Sequence, residues 1–181
     1  RNAKYYRMEK MKQLQLVDPE RHSNRVMETL QKDLRLKELP DHIECFDNSN
    51  LQGKYPVAAM VCFRNAKPDK KEYRHFNIRT VEGPDDFASM EEIVYRRYKR
   101  LLDEEKSLPQ LIIIDGGKGQ LSSAMKSIEK LGLRGRITVI GIAKKLEEIY
   151  FPNDPSPIYL DKTSESLKLI QQLRDEAHRF G

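Results

Sequence analysis

Apolar positions recur along this chain with a period that changes twice. Residues 1 to about 38 show no strand-like alternation; Asp18-Pro19 reads as a helix cap followed by proline at the first helical position, and Val26, Leu30 and Leu34 recur every fourth residue. Two helices are expected there, forming an arm of residues 1–38. Leu39-Pro40-Asp41 breaks the period, and a body of residues 39–181 is expected to follow. His42 to Asp47, Tyr55 to Arg64 and Lys71 to Arg79 read as strands separated by turn-rich Asn48 to Gly53 and Asn65 to Asp69, links short enough to imply an antiparallel meander.

Gly83-Pro84-Asp85-Asp86 then opens a helix with Phe87, Met90, Val94, Tyr98 and Leu101 on one stripe and Arg96, Arg97, Lys99 and Arg100 on the other face. Leu111-Ile112-Ile113-Ile114-Asp115 is a continuous apolar run of the kind buried on both faces of a sheet. A Gly116-Gly117-Lys118-Gly119 loop and a helix carrying Leu121, Ala124, Met125, Ile128 and Leu131 come next. Ile137 to Ala143 repeats the buried-strand signal, Pro152, Pro155 and Pro157 interrupt, and Thr163 or Ser164 caps a last helix with Leu167, Ile170, Leu173 and Ala177 inside. The expected class is α/β, a mixed five-stranded sheet flanked by helices.

Composition narrows the function. The 181 residues carry 33 Lys+Arg against 28 Asp+Glu, and no apolar run approaches the roughly 18 residues of a membrane span, so no membrane partner is expected. Residues 1–40 hold ten basic and six acidic side chains, the remainder 23 and 22, so the excess lies in the arm; clustered cations suit nucleic acid, and solvated helix faces equally. Cys45 and Cys62 lie inside apolar runs, which argues against a disulfide scaffold and for a reducing cytoplasm.

Asp47 and Asp115 each end a strongly apolar strand, where α/β folds display their sites. If those strands are neighbours the carboxylates converge, and two such anions call for a divalent cation between them. Either residue alone reads as well as a turn cap. Asp175 and His178 are i, i+3 neighbours on the last helix, a carboxylate and an imidazole on one face. Lys118 adds charge to a glycine-rich loop at a helix N-terminus, but the spacing matches neither a P-loop nor a dinucleotide fingerprint. Asp85 and Asp86 read as ordinary helix N-terminal carboxylates, Ser49 lacks a nucleophile elbow, and His22, His42 and His75 read as structural.

Taken in order, Ile43-Glu44-Cys45-Phe46-Asp47 with Ser49, Gln52 and Gly53, Tyr73-Arg74 with Phe76-Asn77-Ile78, Asp85-Asp86-Phe87-Ala88 with Met90, Arg96-Arg97-Tyr98, Asp115 through Leu121, and Arg174 through Phe180 resemble the C-terminal endonuclease region of the UvrC family, a component of the bacterial UvrABC excision-repair nuclease. The resemblance runs from about Leu30 to Phe180. It implies a ribonuclease-H-like fold that cuts one strand of damaged double-stranded DNA on the 5′ side of a lesion. Asp47, Asp115 and His178 would be the metal-binding and catalytic residues, with Asp86 a further catalytic acid and Mg²⁺ or Mn²⁺ the cofactor. Lys118, Arg96, Arg97 and Arg179 would be DNA phosphate contacts. Asn48 and Asn50 depart from the Ile and His often found in the family's first motif. The family's N-terminal nuclease domain, the segment that binds the UvrB protein and the helix-hairpin-helix pair have no counterpart in these residues, so this is expected to be one piece of a longer protein. Other ribonuclease-H-fold nucleases and a non-catalytic nucleic-acid or protein-binding module are the competing readings.

Overall fold

The computed structural model describes residues 2–47, 57–79, 85–145 and 148–181. The first helix, α1 (Asn2–Val17), leaves Tyr5, Tyr6, Met8 and Met11 exposed. In α2 (Pro19–Leu34) the Asp18 carboxylate accepts a hydrogen bond from the Arg21 amide at 2.9 Å, with proline in the first turn as expected. β1 (His42–Asp47) and β2 (Val57–Arg64) form an antiparallel pair in which His42 faces Arg64 and Asp47 faces Ala59. A two-residue β3 (Lys67–Pro68), a single 3₁₀ turn over Lys70–Glu72 and β4 (Arg74–Asn77) add to β2.

α3 (Asp86–Asp103) starts at an Asp85 cap whose carboxylate accepts from the Ala88 amide at 3.0 Å. β5 (Leu111–Asp115), α4 (Gly117–Lys130) and β6 (Thr138–Ile142) make a strand–helix–strand unit, the crossover that parallel neighbours require. β7 (Glu148–Tyr150) and β8 (Ile158–Tyr159) extend the far edge, and α5 (Glu165–Phe180) begins where Ser164 Oγ accepts from the Leu167 amide at 3.1 Å.

The sheet runs β3-β2-β1-β5-β6-β7-β8 with β4 also on β2, and β1, β5 and β6 are parallel. The five strands expected from the sequence are all present, but the count is corrected to eight because three pieces of two or three residues are too short for a periodic signal. The strand expected over Lys71 to Arg79 shrinks to four residues, the 3₁₀ turn taking its start. The turn-rich segment from Asn48 to Gly53, with Ser49, and the Gly83-Pro84 turn lie outside the described residues.

Alternation along the central strands makes two cores. Ile43, Cys45, Leu111, Ile113, Ile140 and Ile142 face α5 and α2; Phe46, Ile112, Ile114 and Val139 face α3 and α4. α2, expected in an arm, lends Val26, Leu30 and Leu34 to the first core. On the stripe expected of α3, Met90, Val94, Tyr98 and Leu101 are buried while Phe87 is 55% exposed.

Through the second core runs a buried charge. Glu44 is fully buried in β1, and its carboxylate accepts from Arg97 Nε at 3.1 Å and Nη2 at 2.7 Å and from the Tyr98 hydroxyl at 2.8 Å, with His42 Nε2 also at 2.8 Å. Burial alone would raise the Glu44 pKa, but the bonds from His42 and Arg97 hold it at about 2. Arg97 is therefore 5% exposed, and its expected role as a DNA phosphate contact is corrected: consecutive helix positions 97 and 98 both turn inward to satisfy Glu44. His42, Glu44 and Cys62 also lie close enough to suggest a metal set, but Arg97 already neutralises the carboxylate. Burial and the Glu44 charge push the Cys62 thiol to about 12, which keeps its proton in place.

Arg97→Ala, which strands an unpaired buried carboxylate, is expected to lose about 3–5 kcal/mol in urea unfolding. The contribution of Glu44 is present above its ordinary pKa of 4.5 and disappears as pH falls toward about 2, so the wild-type advantage over the variant should shrink across that window.

Candidate metal centre at the strand rim

β1 and β5 are parallel neighbours in a register that sets Asp47 directly opposite Asp115, both at the carboxyl ends of their strands. Asp47 follows Cys45, and Asp115 follows Ile113, by two residues, so both carboxylates point to the α5 face. There α5 presents His178, whose Nε2 lies 2.7 Å from Asp115 Oδ2 and 3.5 Å from Asp47 Oδ2. The three ligand atoms lie within 4.8 Å of one another. Asp47 is buried, Asp115 half-buried and His178 exposed, so the cluster opens to solvent on one side.

Burial raises the pKa of Asp47; the nearby His178 opposes that shift and the Asp115 charge adds to it. The main chain past Asp115 is shaped by glycine: Gly116 has φ +146 and a Cβ there would strike the Gln120 side chain, while Gly117 has φ +80. The Gly116 amide donates to the Ile142 carbonyl at 3.0 Å, binding the loop to the end of β6.

His178 is placed by the last turn of α5. Phe180 stacks on His75 of β4 with ring centroids 3.9 Å apart and meets Tyr73 edge-on at 5.1 Å. His75 Nε2 lies 2.6 Å from the Phe180 carbonyl oxygen, and the Tyr73 hydroxyl donates to Glu176 at 2.7 Å. Glu176 also accepts two bonds from Arg179, at 2.7 and 3.0 Å, which hold its carboxyl at about 2 against burial, with Tyr73 assisting. Reading His75 and Tyr73 as plain strand residues overlooks this clamp, which depends on tertiary packing.

The remaining expected site residues are dispersed. Asp86 opens α3 and is half-buried; among the described residues it is not in the ligand cluster, although Phe87 beside it lies against Gly119, four residues past Asp115. Lys118 is exposed with Nζ 5.1 Å from the centre of the Tyr150 ring. Arg96 is held by Glu92 at 3.0 Å and by the Asn77 carbonyl at 2.7 Å, and Arg179 by Glu176. Two cations not singled out from the sequence, exposed Lys144 and half-buried Arg174, stand at the same end of the sheet, Arg174 one turn before His178. The i, i+4 spacing of Arg174 and His178 was the available signal.

Two carboxylate oxygens and an imidazole nitrogen are a donor set that could hold a divalent cation. The fold thus brings two carboxylates and a histidine together at the strand rim, where they could hold a cation. The family described as the UvrC RNase H endonuclease domain matches residues 31–181, and the chain belongs to it.

The UvrABC system protein C of Flavobacterium johnsoniae is 72% identical over the whole chain, which covers 30% of that protein. That of Chlorobaculum tepidum is 50% identical over 99% of the chain and 28% of the relative. The chain therefore spans less than a third of the length of these relatives. Among solved structures, endonuclease V from Bacillus subtilis aligns with TM-score 0.41 and 14% identity over 84% of this chain and 88% of that one. Among the described residues no helix is long and apolar enough to cross a membrane.

Because burial and a neighbouring anion disfavour the charged form of Asp47, Asp47→Asn is expected to melt at a higher temperature than wild type at pH 7 without divalent ions. The gain should fade as pH drops through the raised pKa, where the wild-type carboxyl takes up its proton; scanning calorimetry across pH reads both.

Proposed function

We propose that this domain is the endonuclease that hydrolyses one phosphodiester on the 5′ side of a lesion in damaged double-stranded DNA, as part of bacterial nucleotide excision repair. The observation that carries the reading is the in-register pairing of Asp47 with Asp115 beneath His178, inside a chain of the UvrC endonuclease family. Bound Mg²⁺ or Mn²⁺ would supply an activated water and charge neutralisation at the leaving oxygen.

Asp47 and Asp115 would hold the ion. Their shared face and fixed strands keep the two oxygens in place without rearrangement. His178 Nε2, hydrogen-bonded to Asp115 in this structure, stands where on release of that bond it would complete the ligand set or take the proton from the attacking water. Asp86 is proposed as an acid acting from the start of α3, outside the ligand cluster. Lys118, Arg96 and Arg179 are proposed phosphate contacts, the latter two exchanging carboxylate partners for phosphate. Recruitment by the UvrB protein is part of this proposal. The two free, buried cysteines fit a reducing, cytoplasmic setting.

Plasmid nicking in Mn²⁺ or Mg²⁺, with a chelator control, tests the reading. Asp115→Asn is expected to reduce nicking by at least about 100-fold with unchanged circular dichroism; wild-type nicking in that variant would sink it. His178→Ala is expected to slow cleavage by about 10²–10⁴-fold. Loss of Mn²⁺ affinity in calorimetry marks His178 as a ligand, and retained affinity marks it as the proton carrier.

A further inference from the structure

Arg174 lies four residues before His178, so one face of α5 carries both toward the carboxylate rim. Its Nη1 donates to the Lys144 carbonyl oxygen just past β6 at 3.4 Å, a long bond that leaves most of the guanidinium uncommitted. Its Nε is buried and, among the described residues, has no hydrogen-bond partner. Among the described residues Arg174 forms no ion pair, and its charge is felt at the Asp47 carboxyl.

Such an arrangement is unusual. Buried donors are nearly always satisfied, and an arginine beside two carboxylates ordinarily pairs with one of them. Here Asp115 is engaged by His178 instead, and the arginine fork is held back by a main-chain carbonyl. The other buried side-chain atom without a partner among the described residues, Gln120 Oε1, belongs to the side chain folded against Gly116, next to Asp115. Arg174 thus brings uncommitted guanidinium donors to the rim.

We propose that Arg174 is a substrate-binding residue of this site, its Nη donors receiving the non-bridging oxygens of a phosphate on the nucleic-acid strand that crosses Asp47, Asp115 and His178. The inference rests on the nuclease reading and deepens it. A planar fork with two parallel donors matches a phosphate as a lysine cannot, and an arginine already half-buried and tethered loses little freedom when the anion arrives. Exposed Lys144 beside it adds a second positive charge along the same path.

The test uses the 181-residue chain, wild type beside Arg174→Gln and Arg174→Lys, with three readouts: melting temperature, Mn²⁺ calorimetry without DNA, and anisotropy of a fluorescent duplex of about two helical turns in Ca²⁺ over a range of salt. Arg174→Gln is expected to melt near wild type, to bind Mn²⁺ at least as tightly because a cation beside Asp47 is gone, and to bind the duplex about tenfold more weakly. Its slope of log affinity against log salt should fall by about 0.9, one phosphate contact. Arg174→Lys should recover the slope without the full affinity. Wild-type duplex affinity and slope in Arg174→Gln would overturn the proposal, as would loss of Mn²⁺ binding in both variants, which would make Arg174 a structural support. Should Arg174→Gln fail to fold, Arg174→Lys decides: weaker duplex binding with intact Mn²⁺ affinity supports the proposal, and full wild-type affinity overturns it. A wild-type chain that binds neither Mn²⁺ nor duplex would instead bring down the nuclease reading on which the proposal stands.

Discussion

The register between β1 and β5 is the constraint on which the site depends. A shift of one residue in either strand would turn one carboxylate to the α3 and α4 face and leave the other alone with His178. The register is held because both strands are buried on both faces: Ile43, Cys45 and Phe46 on one and the Leu111–Ile114 run on the other fill two cores at once, so slippage would misplace apolar side chains on both sides. The apolar strands thus do more than stabilise; they aim two anions at one point, and the mutual unfavourability of those anions is left for a cation to relieve.

A second buried charge sits three residues below the rim and is treated in the opposite way. Glu44 has four donors and a depressed pKa; Asp47 has a raised one. Both are carboxylates of the same strand. Glu44 is closed off by Arg97, Tyr98 and His42, which ties α3 to β1 and contributes only structure, whereas Asp47 keeps its need for a positive partner open toward solvent. The contrast is what separates a structural ion pair from a reactive site in this fold, since strong perturbation alone marks both.

Most of the architecture was legible in the sequence because its signals are local. The Asp18-Pro19 and Ser164 caps, the apolar run ending at Asp115 and the glycine loop after it each carry their own physics, and the neighbouring placement of Asp47 and Asp115 follows once two doubly buried strands are recognised. The parts that escaped are those that exist only after packing. Nothing in the run Arg96-Arg97-Lys99-Arg100 tells which arginine will turn inward; the answer lies 53 residues earlier, in Glu44. β3, β7 and β8 are too short for a period, and the clamp of Tyr73 and His75 on the end of α5 joins residues about a hundred positions apart.

That clamp explains why an exposed histidine can belong to a defined site. His178 is 46% exposed and lies in the last turn of a helix, where fraying is ordinarily expected. Two rings hold Phe180, a tyrosine hydroxyl holds Glu176, and Ala177 is fully buried between them, so the residue on the open side is fixed by neighbours that are not. The two carboxylates are positioned by β1 and β5 and the imidazole by β4 and its approach, and β1 and β4 both pair with β2. The geometry of the rim is therefore a property of the whole sheet, and damage to β4, far from the carboxylates in sequence, reaches the site through α5.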